Sequence, residues 1–333
     1  MSREEQIINE RLRKLKELRE RGINPYPDKY NVKDFSEDLQ KKYEKLKPEK
    51  FTKDAVKIAG RLMTLRDLGK ITFGSVQDGY GKIQIVLQDK DTPKSVFEFL
   101  KSYIDTGDFI GVEGIIFRTK RGELSVLVKK IDILAKSILP LPEKWHGIQD
   151  EEEKLRKRYL DILMNPEIKE IFIRKSNFWR AIREFLLEKG FLEVETPVLE
   201  NSAGGAAAAP FTTYHNALDI DVYLRISMGE LWQKRLMVAG FPKTFEIGRQ
   251  FRNEGMDADH LQDYTQMEFY WAYANYEDGM KLVEEMYKKV AQKVFETVKF
   301  EKNGHKFDLG KKWEIIDYSV EIKKQTGLDI FKA

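Results

Sequence analysis

The 333-residue chain contains no cysteine. Disulfides, thiolate nucleophiles and cysteine-held metals are therefore excluded from its chemistry. Histidine is scarce, and His146, His215, His260 and His305 lack the HxxxH type of spacing, so a zinc ion held by the protein is not expected. No run of about 18 apolar residues is present, and the opening MSREEQIINE has no apolar leader segment, so a water-soluble, cytoplasmic protein without membrane contact is expected. Neither sign of charge dominates. The 58 basic and 55 acidic residues leave a net charge of +3, which neither demands nor forbids nucleic acid as a partner. The chain does have the 41% hydrophobic and 34% charged residues of a folded, well-solvated protein, in a length sufficient for two cores.

Over residues 4–21, Ile8, Leu12, Leu15 and Leu18 fall at helical spacing, and Gly22, Pro25 and Pro27 stop the run. Such a helix either packs on a neighbour or offers Arg11, Lys14, Arg19 and Arg21 to RNA phosphates. From Val56 the rhythm turns to alternation. Five strands are predicted at 56–64, 71–77, 82–88, 109–117 and 124–134, with a helix at 93–104 between the third and fourth. That order, with glycines at 60, 69, 79, 81 and 114 for bends, predicts a five-stranded OB barrel, a fold that binds single-stranded nucleic acid across its second and third strands. Phe73 on the second strand is a base-stacking platform or a core residue, and Arg61, Arg66, Gln84 and Glu123 are suited to base edges or phosphates.

SILPLPEKWHGIQD reads as a linker, after which a more helical domain begins. A helix at 167–189 carries Ile171, Phe178, Ile182, Phe185 and Leu186 on one side, Gly190 ends it, and FLEVETP continues as a strand. NSAGGAAAAP is a loop of small residues, either a lid or ordinary surface. A strand at 221–226 and a helix from 229 follow; beyond the central hairpin come a helix at 276–297, a hairpin turning at Asn303-Gly304, a strand at 313–318 and a final helix.

The stretch that concentrates chemistry is FEIGRQFRNEGMDADHLQDYTQMEFY, residues 245–270. Phe245, Ile247 and Phe251 alternate with Glu246, Gly248, Gln250 and Arg252; Tyr264, Gln266, Glu268 and Tyr270 alternate with Met267, Phe269 and Trp271. This predicts a β-hairpin with one apolar and one polar face, joined by a long loop carrying His260. A wall of arginine, carboxylates, histidine and tyrosines suits a charged ligand.

The segments LRKLKELRERGINPYP, AGRLMTLRDLGKITFGSVQD, PLPEKWHGIQDEEEKLRKRYLD, FLEVETPVLE, GGAAAAPF with HNALD, and FRNEG occur in the order found in bacterial-type class II lysyl-tRNA synthetases, which the chain resembles over nearly its whole length. The resemblance implies an α+β protein: an N-terminal helical extension over 1–50, an OB-fold anticodon-binding barrel over 51–137, a linker over 138–150, and over 151–333 an antiparallel-sheet catalytic domain with flanking helices, incomplete at its C-terminus. It also implies formation of lysyl-adenylate from L-lysine and ATP and transfer of lysine to the 3′ end of tRNA(Lys), by a homodimer formed through the 167–200 region.

By the same resemblance, Arg252 contacts the α-phosphate, Glu254 and His260 contact ATP, and Tyr264 stacks on adenine; Arg252, Glu254 and His260 form the catalytic set. Glu230, Glu268, Tyr270 and Gly205 hold lysine, while Arg61, Phe73, Gln84 and Glu123 meet the anticodon. Outside the resemblance, Arg252 has the alternative of a salt bridge to Glu254 or Glu268, and Glu230 that of a charge favouring a helix N-terminus. Magnesium ligands are expected beyond Ala333, with none in this chain. Ala209 stands where the family has arginine, Leu261 where it has a polar residue, and no motif 3 occurs before Ala333. Two other readings stay open: an aspartate or asparagine ligase of the same subclass, and a truncated, non-catalytic tRNA-binding protein.

Overall fold

A computed structural model of the chain describes residues 2–142, 150–257 and 259–332. The middle of the expected linker, with His146, lies outside them. The chain divides into two compact units, Met1–Met164 and Asn165–Ala333.

The first unit opens with helices α1 (Arg3–Glu20) and α2 (Ser36–Lys42). Strands β1 (Phe51–Asp67), β2 (Ile71–Gln77) and β3 (Lys82–Gln88), helix α3 (Lys94–Tyr103), and strands β4 (Phe109–Arg118) and β5 (Leu124–Ala135) follow. The strands close a barrel in the order β1-β2-β3-β5-β4, with β3 and β5 parallel, the arrangement of an OB fold. All five strands and the helix occur in the expected order, with β1 extended five residues towards the N-terminus. Alternate residues Val56, Ile58, Leu62, Val76, Ile83, Ile85, Ile110 and Val126 fill the interior. Burying each such side chain contributes about 1.5–3 kcal/mol. Helices α4 (Glu151–Arg156) and α5 (Arg158–Met164) end the unit.

Of the four basic residues that could either pack the first helix or meet RNA, three are engaged within the unit, Arg21 lying over the Tyr103 ring at 5.1 Å. Arg11 is buried, donating to the carbonyls of Thr106 at 2.8 Å and Leu139 at 2.9 Å. Lys14 pairs with Asp105 at 2.7 Å, within a cluster where fully buried Lys136 also bonds Asp105 and Asp108. A buried cation without such partners would be prohibitively costly, so these residues dock the helix on its own unit.

The second unit contains α6 (Pro166–Glu188), the two-residue strands β6 (Leu192–Glu193) and β7 (Leu199–Glu200), β8 (Thr212–His215), β9 (Ile220–Leu224) and α7 (Glu230–Val238). The hairpin strands β10 (Lys243–Phe251) and β11 (Asp263–Trp271), helix α8 (Tyr276–Phe295), the hairpin β12 (Lys299–Lys302) and β13 (His305–Asp308), and α9 (Tyr318–Thr326) complete it. One sheet has the order β11-β10-β6 and another β7-β9-β8. The apolar hairpin face, Phe245, Ile247, Met267, Phe269 and Trp271, packs with Ala181, Ile182, Phe185 and Leu186 of α6 and with Leu282, Met286 and Val290 of α8. Ile171 and Phe178, expected on the same side of α6, are exposed instead.

The strand expected at 313–318 does not form. Ile315 and Ile316 are exposed with no pairing strand among the described residues, and the Asp317 carboxylate accepts from the Val320 amide at 2.9 Å, capping α9 where the strand would have continued. Among the described residues no helix is long and apolar enough to cross a membrane.

Candidate functional site

The barrel carries an open cleft of about 710 Å³ on the outer face of β2 and β3. Phe73, Gln84 and Glu123 line it together. Phe73 is half-buried beside Ile71 in a small apolar cluster with Val86, Phe117 and Leu127, separate from the barrel interior. It is therefore a partly exposed aromatic on the cleft wall, adjoined by Phe51, whose ring stacks on that of Phe117 with centroids 4.8 Å apart.

Ser125 Oγ donates to Gln84 Oε1 at 2.9 Å, which fixes one end of that amide and leaves its NH2 for another acceptor. Arg118 holds the turn before Glu123 by donating to Gly122 O at 2.6 Å and to Tyr43 O at 2.8 Å. Arg61 is not in the cleft. Its guanidinium donates to Gly107 O at 2.9 Å and lies over the Phe109 ring at 4.3 Å, whereas Arg66, five residues on in β1, lines the cleft. Under strict alternation residues five apart would face opposite sides; the register shift between Leu62 and Thr64 changes that phase and sets Arg66 opposite Phe73, while Arg61 stands opposite Gln77 and Phe109.

The second constellation stands on the β10–β11 hairpin. Its register sets Thr244 opposite Tyr270, Glu246 opposite Glu268, Gly248 opposite Gln266 and Gln250 opposite Tyr264. Cross-strand partners share a face, so the polar wall is continuous. At its open end Arg252 and Tyr264 come together, the guanidinium 5.6 Å from the ring centroid, and with Glu254, Gly255, Asp259, His260 and Leu261 they line a cavity of about 340 Å³.

Arg252 Nε donates to Ile226 O at 3.3 Å, and no ion pair joins Arg252 to Glu254 or Glu268 among the described residues. The guanidinium is thus positioned without its charge being consumed. Glu254 instead accepts from the Ala209 amide at 3.3 Å, and the Asn253 amide donates to Ala209 O at 2.8 Å, so the small-residue loop is tied to the hairpin loop at the position where arginine was expected. His260 is exposed, its Nδ1 2.8 Å from the Asp257 carboxylate, and Leu261 is 64% exposed beside it.

Farther along the wall, Glu268 Oε1 accepts from the Met228 amide at 3.2 Å and from Gln266 Nε2 at 2.9 Å. Burial pushes the Glu268 carboxyl above the ordinary glutamate range, and the negative charges of Glu230 and Glu246 act in the same direction. Tyr270 is raised likewise by burial and by Glu268 and Glu230. Glu230 is the first residue of α7 and pairs with Lys234 at 2.6 Å one turn on, so the helix-terminus role is present alongside its proximity to the wall.

Gly205 closes the other side. At φ +88°, a Cβ there would overlap Ser227 Oγ and lie 3.0 Å from Glu230 Cβ, so only glycine lets the loop approach α7 so closely. Glu230, Glu268, Tyr270 and Gly205 thus belong to one neighbourhood. Sequence reasoning missed what supports it. Buried Arg225 pairs with Glu246 at 2.6 Å, and Thr196 Oγ1 donates to the same carboxylate at 2.6 Å. Glu246 could have been flagged, because its polar strand position falls among residues destined for burial.

Among the described residues no group of three or more histidine, aspartate or glutamate side chains could hold a metal ion.

Residues 56–134 match the model of the OB-fold nucleic acid binding domain, and residues 150–330 match that of the class II tRNA synthetases (D, K and N). Curated relatives include the lysine–tRNA ligase of Fervidobacterium nodosum, 44% identical over 97% of this chain and 63% of its own length. Those of Dehalococcoides mccartyi and Carboxydothermus hydrogenoformans are 44% and 45% identical over 98% and 97% of this chain, and 66% and 65% of their own lengths. The chain thus spans just under two thirds of the length of these relatives. By the match over residues 150–330, the chain belongs to the class II tRNA synthetases of the D, K and N group.

Proposed function

We propose that the chain carries the lysine-activating wall and the anticodon-binding barrel of a lysine–tRNA ligase. The observation that carries this reading is the continuous polar face that runs from Tyr270 and Glu268, on which the charge of Glu230 acts, to the ring of Tyr264 and Arg252, which makes no ion pair among the described residues. Adenine stacks on Tyr264, and the planar fork of Arg252 binds α-phosphate oxygens. Glu254 and His260 meet the rest of the nucleotide from the loop. The lysine ammonium groups meet Glu230, Glu268 and the Tyr270 hydroxyl, with Gly205 giving the loop its close approach.

Held this way, the lysine carboxylate attacks the α-phosphorus in line, pyrophosphate leaves, and Arg252 stabilises the charge that builds on the phosphoryl oxygens. The adenylate then passes lysine to the 3′ end of tRNA(Lys), whose anticodon bases reach Phe73, Arg66, Gln84 and Glu123. The exposed Ile171, Phe172, Ile173 and Phe178 on α6 support a homodimer through 167–200, and a cytoplasmic enzyme fits the substrate set.

Aspartate is opposed by the same wall, because Glu230 and Glu268 repel a second carboxylate. Isothermal titration of L-lysine, L-aspartate and L-asparagine into the chain tests the reading. Lysine should bind, and Glu268→Gln should weaken it by about tenfold or more, the worth of one charge-assisted hydrogen bond. Tighter binding of aspartate or asparagine would overturn the assignment.

A further inference from the structure

Arg225 lies just beyond β9, 3% exposed, with Glu246 at 4% beneath it. Its Nη1 donates to Glu246 Oε1 at 2.6 Å and to Thr196 O and Oγ1 at 3.3 Å, and its Nε donates to Arg249 O at 2.9 Å. Thr196 Oγ1 takes the other Glu246 oxygen at 2.6 Å, so both oxygens of that carboxylate are occupied. Glu246 is the direct cross-strand partner of Glu268, which places two carboxylates side by side on one wall. The backbone of Arg225 also accepts from the Phe251 amide at 3.0 Å, tying to β10 the segment whose Met228 amide holds Glu268 and which leads into Glu230. Gly248 makes room for this: a Cβ there would overlap Arg225 Nη2 and lie 3.4 Å from Met228 Cε.

We propose that Arg225 is a positioning residue of the ammonium-binding wall. It neutralises Glu246 and turns it away from the ligand, leaving Glu268 as the carboxylate on the sheet that meets the substrate ammonium. This rests on the reading of the wall as an ammonium site. A wall bearing two uncompensated neighbouring carboxylates would hold a proton at one of them and blur the match to a single ammonium. With Glu246 internally paired, the negative charge presented to the ligand comes from Glu268 and from Glu230, whose charge Lys234 shares at the wall's rim. The charged groups that bear on Glu268 are Glu246 from β10, Arg225 from the end of β9 and Glu230 from α7; Glu268 in turn acts on Tyr270 of its own strand, and Lys234 acts on Tyr270 and pairs with Glu230.

Glu246 and Arg225 act on Glu268 with opposite signs, which separates this role from simple support. In a ¹³C-carboxyl NMR titration of the whole chain, the Glu268 signal is identified by its loss in Glu268→Gln. Glu246→Gln should lower the Glu268 midpoint and Arg225→Met should raise it, each by about one pH unit, a tenfold change in the charged-to-neutral ratio. The double variant Arg225→Met with Glu246→Gln should return it close to the parent value. In calorimetry Arg225→Met should weaken lysine by about tenfold on the same scale, with ATP affinity changed less than about twofold.

If Arg225→Met does not fold, Glu246→Gln still decides. A Glu268 midpoint that stays put or rises in that variant overturns the proposal, as do equal losses of lysine and ATP affinity in folded Arg225→Met. Opposite shifts in a chain that binds no lysine would uphold the electrostatic role of Arg225 and sink instead the reading of the wall as a lysine site.

Discussion

Replacing Phe73 with alanine tests the proposed nucleic-acid site of the barrel separately from the proposed lysine site of the hairpin. The ring lies on the outer face of β2, half-buried against Ile71, Val86, Phe117 and Leu127, with its remaining surface on the cleft. Stacking of one base on an aromatic side chain is worth about 1–3 kcal/mol, so the substitution should weaken binding of a tRNA(Lys) anticodon stem-loop by about 5- to 150-fold. The cost to folding should stay near 1–2 kcal/mol, below the 3–5 kcal/mol typical of a fully buried ring, because the satellite cluster is small and open. Fluorescence anisotropy with labelled stem-loop, at one fixed salt concentration because phosphate contacts are salt-dependent, reads the affinity. Phe73→Leu, which keeps apolar packing but no π-face, should lose most of the same affinity. A loss under about twofold in a folded Phe73→Ala chain, or an equal loss of lysine affinity, would refute the placement of the anticodon site.

Other consequences follow from the same geometry. Arg66→Ala should weaken stem-loop binding at least about fivefold and flatten its salt dependence, whereas Arg61→Ala, which loses the bonds to Gly107 O and the Phe109 ring, should lower the melting temperature and leave RNA affinity within about twofold. Arg252→Lys keeps the charge and loses the planar fork; a drop of about 10²-fold in the rate of amino-acid activation with little change in lysine affinity is expected from rapid-quench kinetics. Lysine affinity should fall on acidification earlier than an ordinary glutamate would dictate. The Glu268 carboxyl is raised by burial and by Glu230 and Glu246; on the proposed reading its charged form meets the ammonium, so binding should weaken as the pH drops through that raised value. Calorimetry from about pH 8 down to pH 5 checks the sign, and Glu268→Gln should abolish the dependence.

Much of this architecture is legible from periodicity. The barrel strands and the hairpin alternate cleanly because each has one dry and one wet face, and a period of two survives any loop length between them. What escaped depends on non-local partners. Arg11 and Lys14 look like a solvated basic face until the carbonyls of Thr106 and Leu139 and the carboxylate of Asp105, about a hundred residues away, claim them. Alternation alone would put Arg61 and Arg66, five residues apart, on opposite faces; the irregularity in β1 sets Arg66 opposite Phe73 on the cleft, and the pairing with β4 sets Arg61 opposite Phe109. The stretch 313–318 has strand composition, yet no neighbouring edge is available to it among the described residues and the Asp317 cap favours helix. The Arg225–Glu246 pair joins two segments that no local pattern relates. Its burial is a property of the assembled sheet.

The central claim is that the hairpin wall activates lysine. Amino-acid-dependent ATP–pyrophosphate exchange tests it most directly, run on the chain as it stands and on a version extended by the remaining third of its relatives' length, against lysine, aspartate and asparagine. The account predicts exchange with lysine, lost in Arg252→Ala and Glu268→Gln. Exchange driven by aspartate or asparagine in place of lysine, or lysine-dependent exchange that survives both substitutions, would contradict it.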